Sequence, residues 1–362
     1  MTKILFALKK REKFDSSKDL YVGLSSGLYN SVKFLTDMAI KNLETKISIL
    51  NDNNDIDREV TLFKPDFVIV EALWVVPEKF KILHQLHPKV QWIIRLHSEL
   101  PFIACEGIAM DWVGKYLTYQ NVSIACNAPR ILNEMKFFAS CLSGLKDGNE
   151  VVYLPNYYPV DCLKQKSTYF IKSNTINIAC FGAIRPLKNH LIQALAAIQF
   201  ATKNNKKINF HINSDRLEMN GEPALRNLIG LFENVKDKGH TLVHHPWSDH
   251  AEFKKLCSLM DIGMQVSFTE TFNIVSADLI SEGVPIISTS ELPWIASCAV
   301  CDPTNSEDIV QKLELLYRNP LMNVTRNQSS LQAYVKKTKK IWEEYFDCKN
   351  NLKRCLTTCS CV

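Results

Sequence analysis

Residues able to do chemistry gather at four places in this sequence. The first is Ser267-Phe-Thr-Glu270-Thr-Phe-Asn273-Ile274-Val275-Ser-Ala-Asp278, where two acids bracket seven other residues. A loop acid such as Glu270 can accept hydrogen bonds from sugar hydroxyls, and Asp278, early in the following helix, can grip a ribose through its two hydroxyls. Amides of Asn273, Ile274 and Val275 at the helix start point at phosphate. A helix N-terminus carrying acids to suit its dipole also explains Asp278, and explains Glu270 poorly.

The second place is Phe181-Gly182-Ala183-Ile184-Arg185-Pro186-Leu187-Lys188-Asn189-His190. Gly182 permits a sharp turn after a strand, and a helix begins near Asn189 or His190. Arg185 and Lys188 then lie beside a helix N-terminus, where two cations and free amides offset the charge of a diphosphate. A solvated basic loop accounts for the same residues, and both readings stay open on the residues alone. The third is Arg95-Leu-His97-Ser-Glu99, at a strand end. His97 there can hydrogen-bond a sugar hydroxyl or shuttle a proton, although a lone histidine is more often structural. The fourth gathers His240, His244, His245 and His250 with Asp249. Metal ligation is conceivable. Adjacent histidines on a strand point to opposite faces, however, and no close acidic pair completes a site. No metal and no cofactor are expected.

These places need a scaffold that presents loops and helix starts along one edge. In the first half, short apolar runs recur at Ile4–Leu8, Ile47–Leu50, Phe67–Val70, Trp92–Leu96 and Val122–Cys126. They are too short for buried helices and apolar on both faces, as strands of a parallel sheet covered on both sides must be. Helical stretches at Tyr29–Asn42 and Pro77–Leu86 alternate with them. Val151–Asn156 is a last strand ending on a Pro-Asn turn, and the aperiodic stretch Asp161–Thr175 marks a boundary. A second strand–helix series runs from Ile176 to Ser288. The reading is α/β, with two Rossmann-like, doubly wound parallel-sheet domains facing a cleft. Ligands bind beyond the carboxyl ends of such strands, where all four places fall.

The bulk numbers agree. A chain of 362 residues divides naturally into two domains, and 46% hydrophobic with 22% charged residues is a globular balance. A net charge of +5 suits anionic ligands but, scattered as it is, argues against nucleic acid as a partner. No apolar run reaches the roughly 18 residues of a membrane span. The N-terminal apolar stretch is too short for a secretory signal. Most of the twelve cysteines sit singly in apolar segments, which reads as buried free thiols in a reduced, cytoplasmic protein.

Glu270 to Asp278, with Gly283-Val-Pro-Ile-Ile behind it, resembles the donor signature of family 4 (group 1) retaining glycosyltransferases of the GT-B fold. In that family two acids bracket seven residues and a Gly-x-Pro-(Val/Ile)-Ile strand follows. The Gly182…Lys188-Asn189 loop resembles the family's diphosphate loop, and Pro155-Asn156 its Pro-Asn turn at the domain boundary. The resemblance implies residues 1–158 as an acceptor domain, 159–330 as a nucleotide-sugar donor domain and 331–347 as a helix packing back on the first, while the Cys-rich stretch 348–362, without interleaved His or acids and at a terminus, reads as a disordered tail. It implies Glu270 and His97 as catalytic residues, Gly182, Arg185, Lys188, Asn273, Ile274, Val275 and Asp278 as donor-binding, and the His240–His250 region near the nucleotide base. Three features depart from the pattern. Asp278 stands where the family has Glu. Ala183 follows Gly182 where the family has Arg. Ser25-Ser-Gly27-Leu-Tyr-Asn30 replaces a Gly-Gly loop, so that Gly27 and Asn30 are the acceptor-side candidates.

The implied activity is transfer of a hexose-type sugar from a nucleotide diphosphate donor to a glycan or other hydroxyl acceptor, with retention and without metal. Two rivals are a nucleotide-sugar-binding protein that has lost catalysis and a nucleotide-sugar epimerase on the same fold. Asp278 and the altered basic loop keep the former open; the latter would turn over a donor without any acceptor.

Overall fold

The computed structural model describes residues 1–10, 14–15, 20–21, 26–38, 40, 43–167, 169 and 173–359, with the side chains of 14–15, 20–21, 26 and 350–359 excepted. Two compact units divide the chain. One is Met1–Pro159 with the chain from Val335 onward, the other Val160–Tyr334.

The first unit contains β1 (Thr2–Lys9), β2 (Phe14–Asp15), β3 (Leu20–Tyr21), α1 (Ser26–Asp37), β4 (Leu43–Leu50), α2 (Asp55–Phe63), β5 (Phe67–Glu71), α3 (Lys79–Leu86), β6 (Gln91–Leu96), α4 (Leu100–Ile103), α5 (Ala109–Tyr116), β7 (Val122–Cys126), α6 (Pro129–Ser140) and β8 (Val151–Tyr153). β2 and β3 pair with each other; the other six strands form one parallel sheet in the order β4-β1-β5-β6-β7-β8. Alternate residues feed opposite cores, as the strand period of two requires. Leu5, Val68, Val70, Trp92, Ile94 and Ile124 pack on one face. Ile4, Phe6, Phe67, Ile69, Ile93 and Ala125 pack on the other. Every apolar run read as a strand is one.

The second unit contains β9 (Thr175–Ala179), α7 (His190–Lys203), β10 (Lys207–Asn213), α8 (Gly221–Val235), β11 (Thr241–His245), α9 (His250–Ser258), β12 (Ile262–Gln265), α10 (Ile274–Ser281), β13 (Ile286–Ser288) and α11 (Ser306–Arg318). Its five strands are parallel in the order β11-β10-β9-β12-β13. Ile178, Phe210 and Met264 pack against Phe200, Leu228 and Leu313 from the helices of one face. The chain order reverses between β9 and β12, so the loops leaving those two strands flank the crevice where such sheets take ligands. They are the Gly182–Asn189 loop and the Ser267–Asn273 loop.

The last helix, α12 (Pro320–Cys359), starts with proline at its first turn, not at Leu331. Through Tyr334 it belongs to the second unit, where Asn323 bonds both the amide and the carbonyl of Ile286 at 3.0 and 2.9 Å. From Val335 it belongs to the first. Trp342 and Phe346 enter the core beside Phe6 and Phe67, and Trp342 Nε1 donates to Pro155 O at 2.9 Å. Residues 348–359, expected as a disordered tail, continue this helix. Residues 360–362, Cys361 among them, lie outside the described residues. Among the described residues no helix is long and apolar enough to cross a membrane.

Candidate functional site

The two loops at the reversal point of the second unit are tied together by backbone and side chain. Gly182 adopts φ +116°, a left-handed conformation that L side chains rarely adopt. Its amide donates to Asn213 Oδ1 at 3.0 Å. A short 3-10 turn over Pro186–Lys188 then leads into α7 through Asn189, left-handed at φ 58°. Asn189 Nδ2 donates to Val266 O and Pro303 O at 3.0 and 2.8 Å. Gln193 accepts from Val266 N at 2.8 Å and donates to Lys188 O at 2.8 Å. Phe268 N donates to Leu187 O at 3.0 Å. The result is a rigid edge on which Lys188 Nζ meets Glu270 Oε1 as a nearly buried ion pair.

The start of α10 completes this edge. Asn273, left-handed at φ 58°, caps the helix by accepting from Ser276 N at 3.0 Å. It is held by Gln265, which in turn donates to Phe181 O. The amides of Ile274 and Val275 in the first turn have no intrahelical acceptor. Three buried hydroxyls, Ser267 Oγ, Thr269 Oγ1 and Ser276 Oγ, have no hydrogen-bond partner among the described residues. Buried polar atoms are rarely left so, and an unfilled set of them beside a helix start is what a bound polar ligand would satisfy. Single serines and threonines in apolar surroundings carry no distinguishing signal, which is why the sequence reading passed over them.

Two other expected donor residues are engaged elsewhere in this unit. Arg185 Nη1 bonds Glu218 Oε2 at 2.7 Å, and Arg216 bonds the same carboxylate. Burial pushes Glu218 up, but Arg216 and Arg185 outweigh it and hold the carboxyl below its ordinary range. Asp278, almost wholly buried, bonds His250 Nε2 at 2.8 Å. The remaining members of the histidine group diverge. His245 Nε2 stacks on and bonds His211 Nδ1 at 2.8 Å, His240 is buried, and Asp249 caps α9 by accepting from Glu252 N. Among the described residues no three His, Cys, Asp or Glu side chains converge as a metal set.

In the first unit, His97 lies just past β6 in a buried polar network. Its Nε2 meets Glu71 Oε2 at the end of β5, and Asn127, just past β7, approaches Nδ1 at 3.4 Å. Arg95 bonds Glu71 at 3.1 Å, and neither side chain of that pair is exposed. Burial pushes Glu71 up, yet Arg95 and His97 outweigh it and hold its carboxyl below the ordinary value. Glu71 is the member that sequence reading missed; a charge closing the all-apolar run Phe67–Val70 was its signal. Of the acceptor-side candidates, Asn30 is buried in α1 beside Ser31, which donates to Asn156 Oδ1 at 3.1 Å. Gly27 is exposed, with nothing within 4 Å of an added Cβ.

No protein-family model matches the sequence, and no curated protein matches it. Solved structures match at the level of fold. Sucrose-phosphate synthase from Thermosynechococcus elongatus superposes with a TM-score of 0.67 at 10% identity, covering 97% of this chain and 100% of that one. A trehalose-6-phosphate synthase gives 0.68 at 10% identity, over 96% of this chain and 98% of that one. A UDP-forming α,α-trehalose-phosphate synthase from Burkholderia vietnamiensis gives 0.66 at 8% identity, over 96% and 97%. The likeness is one of fold, and it is the two-domain GT-B architecture expected from the sequence.

Proposed function

We propose that this chain is a glycosyltransferase that takes a hexose-type sugar from a nucleotide diphosphate donor and transfers it, with retention and without metal, to a hydroxyl of a glycan or other acceptor. The observation that carries the reading is the Lys188–Glu270 pair at the reversal point of the second sheet, beside a capped helix start and three unpartnered hydroxyls. A diphosphate competes with Glu270 for Lys188, takes hydrogen bonds from the Ile274 and Val275 amides, and satisfies the hydroxyls. Glu270, released from Lys188, is then free to accept from sugar hydroxyls. Cation and amides stabilise the leaving diphosphate. The acceptor oxygen bonds to the anomeric carbon on the face the phosphate leaves, and the acceptor's proton passes to the departing phosphate oxygen. For His97 we propose a sugar-orienting contact, as the family resemblance implies.

The synthase from Burkholderia vietnamiensis is UDP-forming, so UDP-sugars are the first donors to try. Release of nucleoside diphosphate should be measured across UDP-, GDP-, ADP- and dTDP-sugars, with Lys188→Ala and Glu270→Ala beside wild type. Selective release from one donor, lost in both variants, is the expected result. A nucleotide-sugar-binding protein without transfer is the second reading, favoured by the commitment of Asp278 to His250. Donor binding with no release under any acceptor would select it.

A further inference from the structure

The network around His97 is larger than orienting one ring requires, and its organising residue is Arg95. Four groups hold the guanidinium. Nε donates to Leu154 O at 3.0 Å, Nη1 to Glu71 Oε2 at 3.1 Å, Nη2 to Asn156 Oδ1, and the Trp342 ring lies 5.6 Å from its central carbon. Nη1 and His97 Nε2 are 3.5 Å apart because both address Glu71 Oε2. A proton must lie between His97 Nε2 and that carboxylate oxygen. Nδ1 then keeps its lone pair, which accepts from Asn127 Nδ2. Asn127 Nδ2 also reaches Asn156 Oδ1 at 3.5 Å, which orients the amide, and the donors and acceptors of Arg95, Glu71 and His97 agree with that proton arrangement.

We infer that Arg95 is a positioning residue for His97: by cancelling the charge of the Glu71 carboxylate it keeps the imidazole neutral, with its proton on Nε2 and Nδ1 as the basic nitrogen. The catalytic meaning of this rests on the sugar-orienting part proposed above for His97; the proton arrangement itself does not. Arg95 and Glu71 cancel, so a proton added at Nδ1 would create an uncompensated charge in a buried place. Burial presses His97 below its ordinary value, Glu71 opposes that and Arg95 adds to it. Among the described residues these two are the charged groups acting on the ring, Arg95 from β6, the strand that leads into His97, and Glu71 from the neighbouring β5. With Arg95 gone, Glu71 is left without its cation, and the cheapest partner is an imidazolium at His97. His97 titration then moves up.

The test is 15N NMR of the histidine side chains, with the His97 resonance assigned by His97→Gln. Wild type should show a neutral ring protonated on Nε2 between about pH 6 and 8. Arg95→Met should show an imidazolium near neutrality, and Arg95→Lys, which keeps the charge, should retain the wild-type state. Because Arg95→Met strands a buried carboxylate and can fail to fold, Arg95→Met/Glu71→Gln is measured as well. That protein carries neither charge, and His97 in it should stay neutral near pH 7. In turnover, Arg95→Met should lower kcat by about tenfold or more with little change in donor KM, and move the pH–rate limb upward. An unchanged His97 in Arg95→Met, or an imidazolium near neutrality in the double variant, overturns the inference. If no protein turns over any donor while the resonances behave as stated, the glycosyltransferase reading falls and the part assigned to Arg95 stands.

Discussion

Lys188 and Glu270 form an ion pair between two loops that leave neighbouring strands, β9 and β12, where the strand order of the second sheet reverses. Their side chains are only 11% and 8% exposed. On the proposed reading, each ion holds the other until a diphosphate arrives. Glu270→Gln removes the competitor for Lys188, so nucleoside diphosphate should bind this variant more tightly than wild type, while Lys188→Ala should lose about tenfold or more in affinity. Breaking the pair also destabilises the unliganded protein, by up to about 3–5 kcal/mol for a fully buried pair. For Glu270→Gln, nucleotide at about a hundred times its Kd should return some 2.7 kcal/mol. Calorimetric titration and urea midpoints read both effects; equal affinities in all three proteins remove the pair from the donor site.

Asp278 and His250 make a separate pair, in which the carboxylate is buried and the imidazole reaches solvent at 26%. His250→Ala removes a hydrogen-bond partner from the buried Asp278 carboxylate and should cost about 1–3 kcal/mol, visible as a lower urea midpoint at constant slope. Asp278→Asn keeps a hydrogen-bond partner for the ring and should cost less. If Asp278 holds the donor's ribose, Asp278→Asn should also raise the donor KM, and an unchanged KM would assign this acid to stability alone.

How much of this was legible depends on distance along the chain. Runs such as Phe67–Val70 read as strands because both faces are covered, and Gly182 to Asn189 and Glu270 to Asp278 are local stretches whose spacing survives in the fold. Glu71 and Arg95 are not visible as a pair, because only the adjacency of β5 and β6 brings them together. The same holds for Asp278 with His250 and for Arg185 with Glu218, whose partners come from other elements. The start of α12 was misplaced for a different reason. Asn323, Asn327 and Gln328 read as surface residues but are buried, bonding the backbone near Ile286, Ala296 and Lys164. A buried face made of amides has no apolar periodicity to find.

Acid stability should carry the mark of His190. The ring is 2% exposed and its polar contact is with the Cys180 backbone. Burial, with Lys188 and Arg185 beside it, pushes its pKa down to about 3. The folded pKa lies below the unfolded one of about 6.5, so this contribution is intact above pH 6.5 and is lost as pH falls toward 3. Between pH 7.5 and 5.0 the loss is about 2 kcal/mol. His190→Leu has no proton to take up, and its stability should fall by about that much less over the same interval in urea unfolding. An identical pH dependence in the two proteins would mean that the ring is already hydrated or charged.

Gly221, the first residue of α8, faces a backbone carbonyl. A Cβ there would lie 2.0 Å from Ile184 O and 2.9 Å from its carbon. A flexible side chain could move aside, but Ile184 cannot move alone. Its carbonyl accepts from Glu218 N at 3.0 Å and its amide donates to Arg216 O at 2.9 Å, while the next residue, Arg185, is clamped to Glu218. Gly221→Ala therefore displaces the turn that leads to Lys188. The expected cost is about 3 kcal/mol, at the upper end for overpacking, accompanied by weaker nucleotide binding. Gly230, exposed on the same helix with nothing within 4 Å of an added Cβ, is the control. Gly230→Ala improves helix propensity without contact and should stabilise by about 0.5–1 kcal/mol, leaving nucleotide affinity unchanged. Should both substitutions prove harmless, α8 is free to slide on its sheet and the turn is not held by Gly221. Should Gly221→Ala lower stability and leave nucleotide binding intact, the Arg185–Lys188 turn is positioned by α7 and the Asn189 bonds instead.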